Sequence, residues 1–295
     1  MERTSSGRPK LHLNPANADW PAALREIEGP PEQLWLRGAV ELLGREPKVA
    51  IVGARAPTAY GEAQARRFAR TFAEHGAVVV SGLARGVDHA AHEAALEVCG
   101  ATIGVLGCGV DRPWPAGPLA ERMAREGLLL SEFEPGAPPL RRNFPLRNRV
   151  ISGLCVAVVV IEAAAASGSL ITARWAADQG RSVFALPGRV DHPMARGCHK
   201  LIREGASLVE DPEEVLVELG LISSGAARAS PPTSDETPSD DLASRVLRAL
   251  VGETLNADEL AERLGADLAD VLTELVELEL RGVVARGAGG LYRRT

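Results

Sequence analysis

The chain has 295 residues, 45% of them hydrophobic, enough to bury one large core and a smaller second one. No apolar run reaches the roughly 18 to 20 residues needed to span a bilayer, and the first seven residues hold no signal-like apolar stretch. A cytoplasmic protein without a membrane partner is therefore expected. The net charge of −6 argues against nucleic acid only on average: residues 231–295 hold 13 acids against seven Arg, while residues 1–230 hold 26 of each sign.

In chain order, residues 1–19 are polar and read as disordered, and 20–38, with Pro21, Pro30 and Pro31, as an irregular lead-in. From Lys48 the pattern turns regular. Apolar runs at 49–52, 77–80, 102–106, 128–130, 156–161 and 182–186 have the character of buried strands. Ala-rich amphipathic stretches at 59–75, 89–98 and 170–179 have helical spacing. This alternation implies an α/β domain over 20–221, a mostly parallel sheet with helices on both faces. Residues 222–240 are small and Pro-rich, as in a linker. In 241–295, three helical patterns (242–250, 258–264, 267–280) precede two short apolar pairs around Gly287-Ala288-Gly289-Gly290, which fits a small winged helix.

Three strand ends carry turns suited to phosphate, because free N–H groups at a helix start attract anions. The first is Gly53-Ala54-Arg55, where Arg55 adds a bidentate cation; a tight turn with a solvated arginine fits equally. In the second, Ser81-Gly82 leads to Asp88, placed to cap its own helix. His89 and His92 share a face there but lack HExxH spacing and a third ligand, so no metal is expected and His92 reads as a packed helix residue. The third, Ser167-Gly168-Ser169 with Thr172, lacks the Walker lysine, and simple helix capping by Ser167 is its alternative. Cys99, Cys108, Cys155 and Cys198 have no CxxC pairing and read as reduced thiols.

A fourth segment is basic. Arg141, Arg142, Arg147 and Arg149 have no acid between them, and Phe144 among them offers a flat face for a base. Stacking plus phosphate neutralisation is how single strands are held without sequence readout. A core Phe144 beside an ordinary solvated loop is the alternative.

Taken together, GARAPTAYG from 53, SGLARGVDHAAHEAAL from 81, VLGCGVDRPWP from 105, SEFEPGAPP from 131, FPLRNRVISGL from 144, EAAAASGSLITARWAADQGRSVFALPG from 162 and GCHKLIREGASLV from 197 resemble the DprA/Smf (DNA-processing protein A) family, over about residues 20–220. The resemblance implies an extended Rossmann-like domain that dimerises, binds and protects incoming single-stranded DNA, and helps load RecA recombinase in natural transformation. It implies no enzyme activity and no cofactor. Arg55, Arg141 and Phe144 match positions that contact the strand, and the Gly53, Ser81-Gly82 and Ser167–Ser169 turns match the phosphate pocket. Arg147, Asn148, Arg149 and Thr172 complete the expected DNA-binding set.

Ala54 stands where the family has Ser, His199 where Asn is frequent, and the stretch 114–119 lacks the usual Asn and has no Lys. The N-terminal sterile-alpha-motif-like domain of many members is not expected. The acidic winged helix is expected to contact protein rather than DNA, and the dimer surface to involve 198–209. The alternative is a nucleotide phosphoribohydrolase or sensor of the lysine-decarboxylase-like class, whose PGGxGTxxE loop is replaced here by the Ala-rich stretch after Glu162. A transcription regulator reading bases with the winged helix is weaker still, since its helices hold few cations.

Overall fold

The computed structural model describes residues 10–98, 101–223, 241–250 and 253–294. The chain separates into two compact units, Met1–Arg228 and Ala229–Thr295. Most of the expected linker, from 224 onward, lies outside the described residues.

The first unit is built on a nine-stranded sheet of order β1-β2-β6-β5-β4-β3-β7-β8-β9. Its parallel part comprises β3 (Lys48–Val52), β4 (Val78–Ser81), β5 (Thr102–Leu106), β6 (Leu128–Ser131), β7 (Ala157–Val160), β8 (Ser182–Ala185) and the short β9 (Ser207–Leu208). Apolar runs form β3 to β7 because both faces of these inner strands are buried, whereas β8 opens on the exposed Ser182 and β9 carries the exposed Leu208. Val49 and Ile51 of β3 point to a layer made by α1 (Ala59–Glu74), α2 (Val87–Val98) and α7 (Pro212–Glu218), whereas Ala50 and Val52 point to α4 (Asn143–Gly153), α5 (Ser169–Asp178) and α6 (Arg196–Arg203). The remaining helix, α3 (Pro118–Glu126), packs Leu119, Ala120 and Met123 on Leu106 and Leu129. Strands are added on one side of β3 up to β6 and then on the other from β7. The carboxyl ends of β3 and β7 thus flank a topological switch point, where such sheets place ligands.

Two expectations fail at the amino end. Lys10–Leu13, expected to be disordered, forms β1, and Leu34–Gly38, expected to be irregular, forms β2; both are antiparallel additions beside β6. Leu13, Trp20, Leu34 and Leu36 supply the reason, each buried in the main core. Residues 1–9 lie outside the described residues.

In the second unit, α8 (Leu242–Ala249), α9 (Ala257–Leu264) and α10 (Leu268–Leu280) pack around Val246, Leu260, Val271 and Leu275, and β10 (Val284–Arg286) pairs antiparallel with β11 (Tyr292–Arg294). This is the winged-helix arrangement the pattern implied. Asn256 and Glu259 form a reciprocal capping box at the start of α9, and Gly265 ends it in the left-handed region at φ 57°.

Candidate functional site

The segment 141–149, read as a basic loop, is mostly helix. Pro145 falls in the first turn of α4, where a missing N–H removes no helical bond. The helix lies across the carboxyl ends of three strands and is tied to each. Asn143 Nδ2 donates to Gly107 O after β5 at 3.1 Å, Arg147 Nη1 to Gly82 O after β4 at 3.0 Å, and Asn148 Nδ2 to Gly168 O after β7 at 3.4 Å.

Arg147 and Arg149, expected among the strand-binding residues, are 4% and 6% exposed. Arg149 forks onto Glu132, with Nη1 and Nη2 donating at 2.7 and 2.6 Å, and its Nε donates to Gly29 O at 2.7 Å. Both donate inward because a buried guanidinium needs partners for the donors it withdraws from water; Arg149 has one at each nitrogen, whereas the buried Arg147 Nε has no hydrogen-bond partner. Arg141 and Arg142, by contrast, are exposed, and the half-buried Phe144 ring lies against Gly107, where an added Cβ would meet its Cδ1 at 3.1 Å.

Two of the three turns are already filled by the protein's own carboxylates. Glu162, 7% exposed, accepts from Thr58 N at 2.9 Å and from Thr58 Oγ1 at 2.6 Å, binding the start of α1 across the switch point. Gly61 permits this closeness, since a Cβ there would overlap the Glu162 carboxylate, and Gly53 lets the backbones approach, since a Cβ there would stand 2.7 Å from Val87 Cγ2 and 3.0 Å from Glu162 O. Both carboxylate oxygens are thus committed to holding a turn, which leaves Glu162 poorly disposed to attack or protonate a glycosidic bond.

Asp88, expected to cap its own helix, instead reaches back: its Oδ2 accepts from Gly82 N at 3.0 Å and Ala84 N at 3.3 Å. The Ser81 hydroxyl is fully buried and donates to Ile51 O at 2.5 Å, so it holds β4 to β3 rather than facing outward. Between them Leu83 sits at φ 56° with its side chain 1% exposed, a backbone strain of the kind that collects at functional sites.

The third turn is open. Ser167 Oγ and Ser169 Oγ share a hydrogen bond at 2.8 Å, and Ser169 N donates to Ser167 Oγ at 3.4 Å. Ser169 and Thr172 are buried, while the backbone of Gly168 is exposed.

Charge around these turns follows burial. Desolvation pushes the Arg147 guanidinium down to about 10; the Asp88 carboxylate opposes this, and nearby Arg55 adds to it. Burial raises the Asp88 carboxyl, against Arg147 and the two amides it accepts from. His92, fully buried with Nδ1 2.7 Å from Thr102 Oγ1, is held down at about 3, first by burial and then by His89 and Arg147. It is a packed helix residue, as its spacing implied.

Outside this inner layer, Arg55, Arg85, Arg112, Arg141 and Arg142 are all exposed on the loops at the carboxyl ends of β3, β4, β5 and β6. The acids on those loops are Asp111, which accepts from Gly136 N at 2.8 Å, Glu132, paired with Arg149, and the exposed Glu134. The rim is therefore net positive. Sequence reasoning missed Arg85 and Arg112, single arginines in glycine-containing loops that stand apart from the basic cluster at 141–149, and the clamps Glu162 and Asn143, whose partners are distant in sequence.

In the second unit, Arg281, Arg286, Arg293 and Arg294 lie exposed in and beside the hairpin, while Asp270, Glu277 and Glu279 lie exposed on α10. Leu272, Val276 and Leu280 are also exposed on that helix, at 41, 52 and 83%.

Among the described residues, no group of three His, Cys, Asp or Glu is placed to hold a metal, and no helix is long and apolar enough to cross a membrane. Cys108, Cys155 and Cys198 are free and buried; Cys99 lies outside the described residues.

Known proteins share this arrangement. The family model of DNA recombination-mediator protein A matches residues 12–220, and that of the DprA winged helix domain matches 230–290. Protein Smf of Escherichia coli is 43% identical, over 97% of this chain and 78% of its own length. The DNA processing protein DprA of Streptococcus pneumoniae is 45% identical over 68% of this chain and 71% of its own. An X-ray structure of the S. pneumoniae protein superposes with a TM-score of 0.68 over 71% of this chain and 74% of that one. DNA processing protein A of Helicobacter pylori, described for its single-stranded DNA binding mode, is 33% identical with a TM-score of 0.64 over 70% of this chain and 95% of that one.

Proposed function

Because this chain belongs to the DNA recombination-mediator protein A (DprA/Smf) family, we propose that it binds single-stranded DNA without reading sequence, along the rim crossed by α4. The observation that carries this is the pairing of five exposed arginines with Phe144 on a helix anchored to three strand ends. Exposed cations neutralise phosphates and an aromatic face stacks on any base, which is the sequence-tolerant mode. Arg55, Arg141, Arg142 and Phe144 touch the strand; the open backbone at Gly168 offers a phosphate contact. Arg147 and Arg149 position these groups, as Ser81, Gly82, Ser169 and Thr172 position the turns.

Titration with oligo-dT over a salt series tests it. Affinity should fall steeply with salt, and Arg55→Glu and Arg141→Glu should each weaken binding by roughly tenfold or more with no change in unfolding temperature. Near wild-type binding by both variants overturns the site.

The reading extends to a non-enzymatic homodimer that protects the strand and hands it to a RecA recombinase. An open sheet edge favours the dimer: β9 ends the sheet and presents Leu208 at 52% exposure, within the expected 198–209 surface. Native mass measurement with and without oligo-dT reports subunit number and stoichiometry together. The apolar and acidic outer face of α10 favours a protein contact for the winged helix, which fails if the 241–295 fragment binds duplex DNA at moderate salt.

A further inference from the structure

The loop after β5 carries the most exposed tryptophan of the described chain. Trp114 is 54% exposed, whereas Trp20 is 4% exposed and Trp35 and Trp175 are half-buried. A lone exposed aliphatic residue needs no explanation, but the setting of this indole differs in two ways.

First, its loop is fastened. Cys108 Sγ donates to Arg112 O at 3.1 Å, Arg112 N to Gly109 O at 2.9 Å, and Gly109 N to Ala137 O at 3.0 Å. Asp111 Oδ1 accepts from Gly136 N at 2.8 Å, and Pro113, directly before the indole, is buried. The side chain therefore projects from a rigid base, which limits the ordering entropy lost when something settles on it.

Second, the loop joins the strand-binding rim at both of its ties. Gly107, where it starts, carries the Phe144 ring and the Asn143 bond of α4. The 136–137 stretch it bonds leads directly to Arg141 and Arg142. Arg112, exposed two residues before Trp114, supplies a phosphate partner beside the ring.

We infer that Trp114 is a second base-stacking platform, placed at the β5 end of the rim so that a single strand leaving Phe144 continues onto the indole. Its ligand is a nucleobase of any identity, since every base presents a π face. The inference rests on the single-stranded DNA reading above and adds a contact in a loop whose sequence, lacking the usual Asn and any Lys, gave no sign of one.

The test uses the full chain, labelled oligo-dT and an oligonucleotide of the same length with abasic sites. Wild-type tryptophan emission should be quenched as oligo-dT binds. Trp114→Ala should abolish most of that quenching and weaken binding roughly 5- to 150-fold, the span of 1–3 kcal/mol per stacked base. Trp114→Phe should restore most of the affinity. The slope of log affinity against log salt should stay at its wild-type value, because a stacked base neutralises no phosphate. On the abasic oligonucleotide, wild type and Trp114→Ala should bind alike.

Wild-type affinity in Trp114→Ala, with Arg141→Glu still defective, overturns the platform and leaves the rim standing. A reduced salt slope in Trp114→Ala also overturns it, by showing that the residue only positions arginines. Failure of the wild type to bind oligo-dT removes both readings.

Discussion

Four arginines lie within nine residues, and the fold divides them two and two. Arg141 and Arg142 precede α4 and stay in water; Arg147 and Arg149 lie on its packed side with Val150 and Ile151 and are withdrawn from it. The inward pair survives burial only because each meets distant acids and carbonyls, Glu132 and Gly29 for Arg149, Asp88 and Gly82 for Arg147. A run of like charge in a sequence is thus not one surface. The outward pair is available to a ligand because the inward pair fixes where α4 lies.

The largest expected effect tests that division directly. Arg149→Met leaves Glu132, whose side chain is only 12% exposed, unpaired and should cost about 3 kcal/mol in urea unfolding, whereas Arg142→Met should move stability by less than about 0.5 kcal/mol. Equal losses would erase the distinction between the two pairs.

A second effect depends on pH. The His92 pKa lies near 3 in the folded chain against 6.5 unfolded, so between those values the unfolded chain binds a proton that the folded one refuses. Stability should therefore fall as pH drops below 6.5, by about 1.4 kcal/mol per unit from this group. Asp88, whose folded pKa is raised, acts in the opposite sense at the acid end, because its proton is held more tightly in the folded state. His92→Gln should flatten the acid limb in a series of unfolding curves between pH 6.5 and 4; an unchanged slope would mean that the imidazole beside Arg147 is not held neutral.

The smallest effect separates the open turn from the filled ones. Ser167→Ala removes the hydroxyl shared with Ser169 at the start of α5 and should cost about 0.5–1 kcal/mol, whereas Thr58→Ala, which takes a partner from the Glu162 carboxylate, should cost about 1.5–3 kcal/mol. Thermal unfolding of both variants gives the ranking.

The six central strands were legible to within a residue or two, because burial on both faces makes β3 to β7 almost wholly apolar and β8 keeps an apolar run after its exposed Ser182. α4 was not legible. Its packed side includes Asn143, Arg147 and Arg149, so no helical apolar stripe exists to be read. β1 and β2 are as long as the central strands and were hidden by the polar residues within them, such as His12 and Arg37, and by the prolines around them. At the site, residue types showed where cations and turns gather, but not which way they face: Glu162 was not seen as the clamp on Thr58, from which 104 residues separate it, and Asp88 was expected to cap its own helix rather than to accept from Gly82 and Ala84.

Those two carboxylates shape what the rim can hold. With internal anions seated at two of the three turns, those two are closed to a phosphate, and the exposed arginines that remain are spread over the ends of four strands. A polymer meets such a row along its length. For the strand proposed above, no terminus has to be found or threaded, and a closed circle of DNA is as graspable as a linear fragment.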